Sequence, residues 1–70
     1  MSDTRKRIAA RLREAREKMK LRQCDVAKMT GVSQSTIYNI EIAITDPLFS
    51  TVIKMADLYG ISLDEFREKE

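Results

Sequence analysis

The run Thr30-Gly31-Val32-Ser33 separates two short stretches of helical period, and it constrains this chain more than any other segment. Gly31 can supply the positive φ that stops a helix sharply, and Ser33, two residues later, is a good N-cap for the next. Upstream, residues 23–29 read as a short helix that turns Val26 and the small Ala27 inward. Downstream, residues 33–42 read as a second, with Ile37 and Ile40 inward. Nothing staples these pieces together. Cys24 is the single cysteine and there is no histidine, which argues against an intramolecular disulfide and a structural zinc site alike. A chain of 70 residues buries only about 60% of its extended-chain surface, so its remaining segments must complete one small core.

Those segments are helical too. At about 100° per residue, Ile8, Leu12, Ala15 and Met19 fall within an arc of roughly 60°, predicting a helix over residues 5–19. Arg16 projects close beside that stripe, the placement of a partly buried ion pair. In the helix after the break, taking Ile37 as zero, Tyr38, Ile42, Ser35 and Asn39 lie between about 100° and 200° and face away from the core. Gln34 sits at the edge of that face. Glu41, near about 40°, lies beside the core and within reach of Arg16. Pro47 punctuates a loop, because the residue before a proline is biased away from helix. Residues 50–59 then place Val52, Met55, Ala56 and Tyr59 on one face, with Gly60 as the C-terminal cap. Ser62-Leu-Asp-Glu65 has the form of a capping box and opens a last short helix with Leu63 and Phe66 inward. The methionines read as core filler, and Cys24 as an exposed thiol without a role. The expectation is an all-α, five-helix single domain over residues 1–70, in which two helices joined by a four-residue break have the spacing of a helix-turn-helix.

Charge divides along the chain. Residues 1–30 hold ten Lys and Arg against four acids, a net +6, whereas residues 31–70 hold three against seven, a net −4. A basic half is a common footprint of an anionic partner such as nucleic acid, although a well-solvated helix carries similar charge. The vocabulary of catalysis is thin. The commonest general base is missing, and two glycines make no phosphate-cradling loop, so no enzyme and no cofactor or metal are expected. No apolar run approaches a membrane span, and none follows the basic amino terminus as in a secretory signal. A cytoplasmic protein is expected.

The run LRQCDVAKMTGVSQSTIYNIE, Leu21 to Glu41, resembles the phage-repressor and Cro-type (xenobiotic-response-element type) helix-turn-helix regulators. Leu-x-Gln, a small Ala, Gly-Val-Ser, then Ile and a closing Glu stand in register. RIAARLREARE upstream and IKMADLYGISLDEF downstream are similar to the family's first, fourth and fifth helices, so the resemblance covers about residues 5–68. It implies that the helix over residues 33–42 enters the major groove of double-stranded DNA, with Gln34, Ser35 and Asn39 on base edges. It implies further that Gln23 holds a backbone phosphate and that Arg16 pairs with Glu41. Arg22 and Tyr38 join Gln23 and Arg16 as phosphate or groove contacts. A homodimer on two half-sites is expected, with Leu48, Phe49 and Leu63 near its interface, and with no membrane and no small-molecule ligand as partners. A small transcriptional repressor is the function so implied.

Two departures stand against the pattern. Arg22 replaces the usual Ser or Thr cap of the second helix. After Glu41 the family has Gly and a basic residue, whereas this chain has Ile42-Ala43-Ile44-Thr45, with no positive charge before Lys54. Alanine is costly at positive φ, so another loop shape is expected there. Ile42 and Ile44 either pack inward or meet a second subunit. That apolar loop and the acidic second half keep an alternative open: a protein-interaction module on the same fold, antitoxin-like or regulator-sequestering.

Overall fold

The computed structural model describes residues 2–66, so the outer limits of a domain over residues 1–70 lie outside the described residues. The described residues form four α-helices and a closing 3-10 turn, without strands. These are α1 (Ser2–Lys18), α2 (Gln23–Thr30), α3 (Gln34–Glu41), α4 (Phe49–Tyr59) and the turn Leu63–Phe66. The helix α1 packs on α3, on α4 and on the closing turn, while α2 packs on α3 and α4. One core results, built on Leu12, Ala15, Val26, Ile37, Ile40, Met55 and Tyr59. Each fully buried Leu, Ile, Val or Met there contributes roughly 1.5–3 kcal/mol relative to exposure.

The break between α2 and α3 has the form read from its residues. Gly31 adopts φ +78° and its N–H reaches the Ala27 carbonyl. The Ser33 hydroxyl accepts from the Thr36 N–H at 3.2 Å, capping α3. Three other helix ends share one device. After α1, α3 and α4 the chain enters the left-handed region at Lys20 (φ +59°), Ala43 (φ +63°) and Gly60 (φ +71°). In each case the next residue's N–H bonds a carbonyl five back: Leu21 to Arg16, Ile44 to Asn39 and Ile61 to Ala56. The left-handed residue itself bonds three back, to Glu17, Ile40 and Asp57. This is the Schellman pattern, which occupies carbonyls that a helix end otherwise leaves unpaired.

Several expectations change. The fifth element is a 3-10 turn, giving four α-helices rather than five. Its capping box forms in part, the Glu65 carboxylate taking the Ser62 backbone N–H. The Ser62 hydroxyl accepts from the Asp64 N–H at 3.1 Å rather than from that of Glu65, and the Glu65 carboxylate also meets Arg11 across the fold, whose Nε donates to Oε1 at 2.7 Å. Leu63 is exposed rather than inward, while Phe66 packs against the core. Met19 leaves the core stripe because α1 ends at Lys18 and Lys20 turns the chain. Met29 is exposed as well, so of the three methionines with described burial only Met55 fills the core. Cys24 is half-buried rather than exposed. The loop after α3 keeps a left-handed residue even though alanine occupies it, contrary to the expected change of shape. Ile42 and Ile44 do not pack inward, and Ile44 is 58% exposed.

Candidate nucleic-acid interface

The outward face of α3 is where the residues after the break present their polar groups. Ser33 starts the helix, and the burial of Ile37 and Ile40 fixes its rotation. Gln34, Ser35 and Tyr38 therefore stand exposed, with Asn39 half-buried at the margin. No acid or base lies in the first or last turn of α3 apart from Glu41, whose side chain is only 2% exposed. The face is neutral and rich in hydrogen-bonding groups.

Behind it lies a polar cluster that sets how α1, α2 and α3 meet. Arg16 Nε donates to Glu41 Oε2 at 2.8 Å, and Nη2 donates to Oε1 at 3.0 Å. Arg16 Nη1 donates to the Leu21 carbonyl at 2.8 Å, tying the end of α1 to the start of the next segment. Gln23 Nε2 donates to Glu41 Oε1 at 3.0 Å. The paired carboxylate raises the Arg16 pKa, first through this hydrogen bond and against a desolvation that opposes it. The bidentate geometry is the strong form of such a pair. The ion pair read from periodicity is thus present. Gln23, assigned to phosphate, spends one amide N–H on Glu41 and stands in the same cluster. The Tyr59 hydroxyl is buried without a hydrogen-bond partner among the described residues. Burial pushes its pKa up to about 12, with the Glu41 charge adding to the effect.

Arg22 lies at the entry to α2. Its side chain makes no cap, yet the cap is not lost. Asp25 Oδ2 accepts from the Arg22 backbone N–H at 2.9 Å and from its Nε at 3.1 Å. Oδ1 accepts from Nη2 at 3.0 Å. Hydrogen bonds from Arg22 hold the Asp25 carboxyl at about 2. Asp25 was not singled out from sequence, though an acid three residues past the cap position is the legible half of a capping box. Arg5 was also missed, because its partners are remote. Its Nε donates to Asp46 Oδ1 at 2.8 Å and its Nη1 to the Ala43 carbonyl at 3.4 Å, across 41 and 38 positions of chain.

Leu48 and Phe49 are 72% and 70% exposed, and Phe49 lines a largely apolar groove with Ile8, Pro47, Val52, Leu63 and Phe66, with Asp46 at its edge. The sequence reading brought Leu48, Phe49 and Leu63 together, and the fold sets Phe49 and Leu63 on this one groove. Among the described residues no helix is long and apolar enough to cross a membrane. None of their His, Cys, Asp or Glu side chains cluster as a metal site would need.

Two short helices around a glycine break, the second capped by serine and offering a polar outer face, define a helix-turn-helix protein. The chain belongs to the helix-turn-helix family, whose model matches residues 12–66. It is 38% identical over 66 residues to the HTH-type transcriptional regulator PuuR of Escherichia coli strain K12, and equally to PuuR of Shigella flexneri. The match covers 94% of this chain and 36% of each relative, so the chain spans about a third of their length. No solved structure matches the chain significantly.

Proposed function

We propose that the chain is a sequence-specific double-stranded DNA-binding unit of a transcriptional regulator, acting as a repressor by occupying its site. The observation that carries this reading is the outer face of α3. Gln34, Ser35 and Asn39 stand on an uncharged face of a helix whose rotation is locked by buried Ile37 and Ile40. Gln and Asn can pair with adenine through N6 and N7, and Ser can serve several bases. Gln23, Arg22, Arg16 and Tyr38 border that face as phosphate or groove contacts. Membership of the family, and a relative named as a transcriptional regulator, support the same reading. One helix reads only a few base pairs, so useful specificity calls for a homodimer on half-sites about one helical turn apart.

Selection from a random DNA pool, followed by binding across a salt series, tests the proposal. Affinity for the selected site should fall steeply with salt as phosphate contacts release counterions. Asn39→Ala should weaken that site by about 1–3 kcal/mol and relax choice at one position, whereas Arg22→Ala should weaken all sequences alike. No change with either variant would remove DNA reading from this face.

A second reading rests on Ile42 and Ile44, exposed on a loop that adds no cation of its own. It makes the same fold a protein-interaction module, antitoxin-like or regulator-sequestering. Salt-insensitive binding to a protein partner, without selection of any DNA sequence, would favour it.

A further inference from the structure

We propose that Arg5, on α1, is the phosphate-contacting cation of the loop after α3, and that Asp46 occupies its guanidinium until a DNA phosphate displaces it. This inference rests on the reading that α3 enters the major groove. A recognition helix lies in that groove with its N-terminal residues on base edges, which leaves its C-terminal end toward the backbone. The loop at the end of α3 therefore lies at the groove wall, where the phosphates run. Electrostatically it is a poor place for them. A helix C-terminus carries partial negative charge, and residues 42–46 add Asp46 and no cation.

The fold brings Arg5 to this place. The Arg5 guanidinium donates to the Ala43 carbonyl and to Asp46 Oδ1, spanning the loop from its left-handed residue to its end. The Arg5 side chain remains 36% exposed and Asp46 78% exposed, so the pair is open to exchange with an incoming anion. A guanidinium takes carboxylate and phosphate in the same forked geometry. On binding, the carboxylate gives way to a phosphate oxygen, and the carbonyl bond keeps the side chain at the loop. Arg16 is less free to exchange partners, because its own pair is 13% exposed at the guanidinium and 2% at the Glu41 carboxylate.

The test measures log Kd against log salt on the DNA site selected by the wild-type chain, in three variants. Arg5→Ala should weaken all sequences alike and lower the salt slope by about 0.9, the share of one phosphate. Asp46→Asn, which removes the competing carboxylate, should tighten binding severalfold at low salt. Arg5→Ala with Ala43→Gly, which lets the loop keep its shape without the arginine, should retain the lower slope. An unchanged slope in Arg5→Ala overturns the proposal. So does a slope restored by Ala43→Gly, or binding that Asp46→Asn weakens as much as Arg5→Ala does, because either makes Arg5 a loop brace only. A wild-type chain with no salt-dependent, selective binding fails the α3 reading itself, and this inference with it.

Discussion

Ala43 shows how a single residue can keep a conformation its side chain disfavours. At φ +63° its Cβ crowds its own backbone, and such a non-glycine residue persists only where its surroundings over-determine it. Here they do. The Ala43 N–H bonds the Ile40 carbonyl, the Ile44 N–H bonds that of Asn39, and the Ala43 carbonyl accepts from Arg5. Ala43→Gly is therefore expected to stabilise the protein by about 0.5–1 kcal/mol, since relief of strain outweighs the added freedom of the unfolded chain. The urea midpoint should rise at unchanged slope. A lower midpoint would mean that the left-handed alanine carries no strain. At this scale the sequence reading located the problem, an alanine at a glycine position. It resolved it wrongly, because the hydrogen bonds holding the loop come partly from residue 5, far away in the chain.

Among the elements, α2, α3 and α4 were legible nearly to the residue. Their signals are local: Gly31 and Gly60 as stops, Ser33 as a cap, apolar side chains at offsets of three and four. The limits of α1 and the nature of the closing turn were not. Residues 62–65 carry the letters of a capping box and form it in part, yet Glu65 also pairs with Arg11 of α1 across 54 positions, and a 3-10 turn results. The ion pair has a pH signature. Hydrogen bonding from Arg11 lowers the Glu65 pKa from its ordinary 4.5, and Arg22 lowers that of Asp25 from 3.8 to about 2. Both groups have depressed pKa values in the folded state, so their stabilisation is full above the ordinary values. It is lost as pH falls through the folded ones. Melting temperature should decline from about pH 4.5 downward, and Glu65→Gln should make that decline shallower. An identical acid profile in the variant would show that the Arg11 pair contributes nothing.

For the whole molecule, the question is what covers the exposed Leu48 and Phe49. Two large exposed apolar side chains, one of them lining a groove, are a costly surface to leave in water, and they suit the homodimer proposed above. Phe49→Glu is expected to leave the fold intact, since that side chain lies outside the core, and to give a monomer by sedimentation. Affinity for a two-half-site operator should fall by about 100-fold while a single half-site is bound as before. A variant that sediments as the wild type does would exclude this face from any dimer.

At the same scale, the split into a basic first half and an acidic second half was visible in the sequence, but its meaning was not. Part of that charge meets across the fold, Arg5 with Asp46, Arg11 with Glu65 and Arg16 with Glu41, so charge along the chain does not by itself mark the face a partner meets. The sequence by itself determined α2, α3 and α4, the order of the elements, the break at Gly31 and the rotation of α3, because period, capping and positive φ are properties of neighbouring residues. It also led to the Arg16–Glu41 pair, since each residue's angle about its own helix predicts a meeting at the shared core. Only the tertiary structure decided the form of the Ala43 loop, the fate of Glu65 and the place of Arg5. These depend on contacts between residues dozens of positions apart, whose distances no local pattern encodes.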